Sequence, residues 1–176
     1  GNYYYRIQAT NACGFSNWRY SSPIVVVASP ELPSSISYPS AGCTGNRFNI
    51  SWAATTGASS YSLQRATNAN FSGADTVYSG PDTSWSQPAL GAGTYWYRVQ
   101  ASNDCGASGW QQGPSIEIIA PPSPPTAISY PAKICEGESV TISWASSSNA
   151  TGYVLQRSSN SNFSNAVEVY NDSDTS

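Results

Sequence analysis

The sequence contains no histidine and no methionine, and of its 176 residues only 10% are charged, with Lys133 the single lysine. Without an imidazole there is no Ser-His-Asp or Cys-His arrangement and no imidazole base. Zinc binding is disfavoured for the same reason, and no two cysteines are closely spaced. Six scattered arginines and one lysine make no basic stripe, which excludes nucleic acid as a partner class. No apolar run reaches the ~20 residues that a membrane span in this segment would need. The carboxylates Asp75, Asp82, Asp104, Glu117, Glu136 and Glu138 are dispersed, and nothing pairs two of them as glycoside hydrolysis requires. The expectation is a protein that is not an enzyme, with no catalytic residue, cofactor or metal site. Asp82 and Asp174, each before Thr-Ser, are expected to cap turns, with calcium binding as the lesser alternative. With Gly1 in first place and no signal peptide, the sequence reads as a segment of something longer or a processed product.

What is present is serine, threonine, asparagine, glycine and proline, with β-branched and aromatic residues in short alternating runs. That composition indicates an all-β fold rich in turns. One pattern organises the chain. GTYWYRVQASNDCGASGW at 93–110 has a twin, GNYYYRIQATNACGFSNW, at 1–18, an offset of 92 residues. The same offset carries Tyr38-Pro39 to Tyr130-Pro131, Cys43 to Cys135, Trp52 to Trp144 and Leu63-Gln64-Arg65 to Leu155-Gln156-Arg157. A repeat of this length is a domain rather than a solenoid unit. The expected organisation is the C-terminal strands of one domain at 1–28, a complete domain at 31–120, a stiff Pro-rich linker at 121–125 and the N-terminal strands of a further domain at 126–176.

Strand expectations follow from period-two alternation. Residues 3–10 read as one strand with Tyr3, Tyr5, Ile7 and Ala9 inward, and residues 23–28 as a second. In the complete unit, strands are expected near 34–38, 47–53 (Phe48, Ile50 and Trp52 on one face), 61–65, 76–78, 83–86, from Gly93 onward, and 115–119. A turn is expected at 41–45. Seven short strands in about ninety residues is a sandwich count. The half-units would leave bare edges and half a core, so their missing strands are expected from further chain or from residues 1–28 of a neighbouring copy.

The residues Ser51-Trp52, Tyr61-x-Leu63 and Leu90-x-x-Gly93-x-Tyr95-x-Tyr97-Arg98-Val99-x-Ala101-x-Asn103-x-x-Gly106-x-Ser108 resemble the fibronectin type III domains of bacterial secreted and cell-surface proteins. The resemblance implies tandem seven-stranded Ig-like Greek-key β-sandwiches and a spacer, adhesive or accessory role, and it implies no chemistry. Cys13, Cys43, Cys105 and Cys135 depart from the animal version of the family, which usually has none. Their even number points to disulfides in an oxidising compartment. In the topology that the resemblance implies, the first turn and the loop after the sixth strand lie at opposite poles, ~20–30 Å apart, beyond the ~4.4–6.8 Å that a disulfide allows between Cα atoms. Bridges between domains remain. In a head-to-tail rod, Cys43 bonds the loop of the third unit, a loop that residues 1–28 of a neighbouring copy would carry. In a folded-back zigzag, Cys13 reaches Cys43 and Cys105 reaches Cys135.

If Tyr95, Tyr97 and Val99 face the core, Trp96, Arg98 and Gln100 line the outer face beside Gln64, and Tyr4, Arg6 and Gln8 repeat that row. Such a row can stack a sugar or pack on a protein; otherwise Trp96 lies over Arg98 as a cation-π pair. Asn-x-Ser/Thr sites stand at Asn49, Asn70, Asn149, Asn162 and Asn171. The reading that results is an extracellular or cell-surface structural and adhesive protein, a disulfide-stapled rod or filament whose partners are identical neighbouring domains or chains. The alternative is a carbohydrate-binding or spacer module of a secreted polysaccharide-acting enzyme, with glycans as partners of the Trp96 face.

Overall fold

The computed structural model describes residues 1–175 and contains strands and no helix among them. Ser176, the last residue of the expected C-terminal unit, lies outside the described residues.

Six two-residue strands come first: β1 (Asn2–Tyr3), β2 (Arg6–Ile7), β3 (Thr10–Asn11), β4 (Gly14–Phe15), β5 (Arg19–Tyr20) and β6 (Ile24–Val25). They pair β1 with β6, β2 with β5 and β3 with β4, as one long broken hairpin. The continuous strand expected over residues 3–10 is therefore interrupted, and Tyr3, Tyr5 and Ile7 are exposed rather than inward. Among the described residues no second sheet packs on this ribbon, and a two-stranded ribbon alone has no second layer to bury an apolar face.

Next come β7 (Ile36–Ser37), β8 (Ala41–Cys43), β9 (Phe48–Trp52), β10 (Ser60–Ala66), β11 (Asp75–Gly80), β12 (Ser84–Gln87), β13 (Gly93–Asn103), β14 (Gly106–Ala107), β15 (Gln111–Gln112) and β16 (Ile116–Ile119). One sheet has the order β12-β9-β7, the other β11-β10-β13-β16-β8, with β14 and β15 also paired to β13. Three strands facing the four of β11-β10-β13-β16 make the seven-stranded β-sandwich that the strand count leads us to expect. Ala41–Cys43 forms a strand where a turn was expected, parallel to β16 through Glu117↔Ala41, Ile118↔Gly42 and Ile119↔Cys43. Pro39 ends the first strand because it cannot donate to a ladder. The chain then crosses to the other sheet, where Gly42 sits so close to Ile118 that a Cβ would meet its Cδ1 at 3.1 Å.

Alternation fills the core. Ile50 and Trp52 of β9, Tyr61 and Leu63 of β10, Tyr97, Val99 and Ala101 of β13, and Ile116 and Ile118 of β16 are buried as one cluster. Trp52 packs on Tyr61 and Tyr78 at ring separations of 5.9 and 5.6 Å, and Tyr97 meets Tyr38 edge-on at 5.2 Å. Each fully buried aliphatic side chain here contributes about 1.5–3 kcal/mol.

The C-terminal stretch holds β17 (Ile128–Ser129), β18 (Ser143–Trp144), β19 (Tyr153–Arg157) and β20 (Val167–Asp172), paired β17 with β18 and β19 with β20. Details of the central sandwich recur there. The register shift between Leu63 and Gln64 returns between Leu155 and Gln156. Thr55 N donates to Tyr61 Oη at 2.9 Å, and Ser147 N donates to Tyr153 Oη at 2.8 Å.

Candidate functional site

Two regions gather the residues singled out by the sequence: the outer face of β13 and the two poles of the sandwich. On β13, Tyr97, Val99 and Ala101 point inward, which turns Trp96, Arg98 and Gln100 to the opposite face, all partly covered. Gln64 stands opposite Arg98 in the β10–β13 register, and its Oε1 accepts from Arg98 Nε and Nη2 at 2.9 and 2.7 Å. The guanidinium lies 4.4 Å from the Phe71 ring and 4.5 Å from the Trp110 ring, so it is held between two aromatic planes.

Trp96 is not its stacking partner, contrary to the expected cation-π pair. Side chains two residues apart on one strand stand ~6.6 Å apart along it, whereas Trp110 reaches Arg98 from the segment leading into β15, whose Gln112 pairs with Arg98. Phe71 arrives from a tight loop. Its backbone is left-handed, with φ 57°, and the flanking Asn68 both donates to Ser72 O and accepts from Ser72 N at 2.9 Å. The sequence did carry a signal for this stack: an arginine and a tryptophan twelve residues apart occur at 98/110 and again at 6/18. Arg6 indeed lies 4.3 Å over the Trp18 ring, while Tyr4, the twin of Trp96, is exposed.

The poles are built differently. Cys43 ends β8 beside Ile119, where the chain leaves the sandwich, and Thr44 N donates to Ile119 O at 3.0 Å. Cys105 lies at the tip between β13 and β14, where the chain enters. There Asn103 Nδ2 donates to Ala28 O at 2.8 Å and to Gly57 O at 2.9 Å, while its Oδ1 accepts from Cys105 N at 2.8 Å. Ser29 Oγ donates to Cys105 O at 3.2 Å. Gly106 has φ +144°, and a Cβ there would come within 2.7 Å of Ser29 Oγ. The entering segment thus rests on the Cys105 loop, clamped by one amide side chain. Asn103 was not singled out as a site residue, although Asn-x-Cys stands at both 11–13 and 103–105, and Asn11 Oδ1 also accepts from Cys13 N at 2.8 Å.

Cys13, Cys43, Cys105 and Cys135 are all free and exposed, so the disulfides expected from their number are not formed within the described chain. Cys43 and Cys105 lie at opposite ends of the sandwich, which keeps them apart. Asp82 does not cap its turn with its carboxylate; instead its amide donates to Tyr78 Oη at 2.8 Å. Asn70 and Asn162 form matching Asx turns with Ser72 N and Ser164 N at 3.1 Å. Inside the core, Tyr97 Oη donates to Gln87 Oε1 at 2.8 Å, which satisfies a buried amide that the strand pattern did not reveal. Burial pushes the Tyr38 phenol up to about 12. Burial also raises Tyr97, against the opposing charge of Arg65.

No protein-family profile and no curated protein matches the sequence. Solved structures do. The FN1–FN3 domains of chicken CNTN1 are similar at 18% identity over 96% of this chain and 61% of that one, with a TM-score of 0.44. A Fn3-like protein from Clostridium thermocellum is similar at 21% identity over 54% of this chain and 94% of that one, with a TM-score of 0.38. The fourth FNIII domain of a human protein is similar at 20% identity over 58% and 92%, with a TM-score of 0.46.

Proposed function

We propose that this protein is an extracellular structural and adhesive repeat, a rod of tandem fibronectin type III sandwiches stapled by disulfides at the junctions between units. The observation that carries this reading is the placement of the cysteines. One exposed thiol marks the pole where the chain enters the central sandwich, and another marks the pole where it leaves. The entering segment is fixed to the first pole by Asn103 and Ser29, which supports a built junction between units rather than a free linker. In a head-to-tail rod, each Cys43-type strand end faces the Cys105-type loop of the next unit. A bridge there closes the junction against axial load, and the Pro-rich stretch 121–125 limits its bending.

The carbohydrate reading ranks second. Arg98, the polar partner that a sugar would use beside Trp96, is already held by Gln64, Phe71 and Trp110. Peptide mapping of the oxidised protein without reduction tests the leading proposal. Bridges joining Cys13 of one chain to Cys43 of another, and Cys105 of one chain to Cys135 of another, are expected. A dominant Cys43–Cys105 bridge, or four thiols that stay free under oxidation, would overturn it.

A further inference from the structure

Among the Asn-x-Ser/Thr sites, one pair stands apart. Asn70-Phe71-Ser72 and Asn162-Phe163-Ser164 are related by the 92-residue offset, whereas Asn49 falls on Thr141, Asn149 on Gly57 and Asn171 on Ser79. The pair occupies matching loops, from β10 to β11 and from β19 to β20. The backbone there folds back on itself. Phe71 and Phe163 are left-handed, with φ 57° and 55°, and Ser72 N and Ser164 N donate to Asn70 Oδ1 and Asn162 Oδ1 at 3.1 Å. Along a strand, as at Asn49 in β9, side chains two residues apart stand ~6.6 Å from one another. The turn thus draws the asparagine side chain towards the serine, which a strand does not.

In the central sandwich Asn70 is exposed, and its turn engages only the amide oxygen. Nδ2 makes no hydrogen bond among the described residues. Asn68, two residues earlier, spends both Nδ2 and Oδ1 on Ser72. Phe71 is buried, with Arg98 over its ring, so the loop that presents Asn70 is anchored from beneath. We propose that Asn70, and Asn162 by the same geometry, is an attachment site for an N-linked sugar, transferred from a donor that holds the sugar at C1 through a diphosphate. This inference rests on the extracellular reading, which places the chain on an export route where such transfer occurs.

In the transfer, Asn70 Nδ2 forms a bond to C1 of the sugar as the bond from C1 to the diphosphate oxygen breaks. The diphosphate leaves with that electron pair, and one amide proton passes to a base of the transferase. The product amide keeps its Oδ1 and one N–H, so the bond from Ser72 N survives the modification. A nucleotide diphosphate and a polyprenyl diphosphate share this chemistry. The first delivers a single sugar residue and the second a preassembled chain, so the attached mass tells them apart.

The test is peptide mass mapping of the protein isolated from the cells that make it, with fractionation of the same cells. The peptide holding Asn70 is expected to carry a sugar mass that fragmentation places on the asparagine. In the same cells Ser72→Ala should lose that mass and Ser72→Thr should keep it. Both variants retain the backbone N–H that closes the turn, and an unchanged thermal transition reports that each is folded. An unmodified Asn70 peptide would overturn the proposal wherever the protein is found. So would a sugar that persists in Ser72→Ala, which would show attachment independent of the Asn-x-Ser triplet. Recovery of the protein only inside the cell would count against the extracellular reading instead, while a sugar on Asn70 there would still support the site.

Discussion

Tyr95 Oη donates to Gly91 O at 3.2 Å, four residues back, a tyrosine corner that fixes the turn into β13. Tyr95→Phe keeps the ring and removes that bond, so it should lower unfolding free energy by about 0.5–1.5 kcal/mol in urea titration of the isolated sandwich. Tyr97→Phe should cost more, about 1–3 kcal/mol, because it strands the buried Gln87 carbonyl. The buried phenols also set an alkaline limit. Tyr38 is pushed up to about 12 and Tyr97 is raised as well, so the native state keeps protons that the unfolded chain releases near pH 10. Stability should be flat below about pH 10 and fall as pH rises from there towards 12. In Tyr38→Phe the fall should be shallower, as thermal melts across that range would show. The strand phase of Tyr97 was legible from alternation alone. Its bond to Gln87 was not, because a glutamine at a strand end reads as solvent-facing until the opposite sheet is in place.

At the scale of elements, the Phe71–Arg98–Trp110 stack ties a loop and the β15 segment to the middle of β13. Trp110→Ala should cost about 1–2 kcal/mol through the lost stack, and Arg98→Lys should recover only part of the wild-type stability because an ammonium lacks the planar face. Asn103→Ala should act on the junction instead. It leaves the core intact, removes the bonds to Ala28 O and Gly57 O, and should speed amide exchange in the entering segment and the Gly57 loop while the exchange of β10 and β13 stays the same. The alternating runs of β9, β10 and β13 could be placed from the sequence because each buries one face. Ala41–Cys43 could not: its pairing with β16 joins residues more than seventy positions apart, and a Gly-Cys pair beside a Pro reads locally as a turn. Residues 3–10 failed for the opposite reason, since their strong alternation is realised only when a second sheet covers it, as it covers β13.

At the scale of the molecule, the central sandwich carries an exposed thiol at each pole, and the proposed rod depends on that placement. The repeat was legible because the two copies of the β13 motif are nearly superimposable as text. The junction was not, because it depends on where Asn103 and Ser29 point. The central claim is that these cysteines join separate chains end to end. Intact mass of the oxidised protein under denaturing conditions, measured with and without reductant, tests it most directly. The account predicts a ladder of multiples of one chain that collapses to a single mass on reduction. A single-chain mass in both conditions would contradict it, and if the same bridges were mapped within that one chain, the units would fold back on one another instead of extending as a rod.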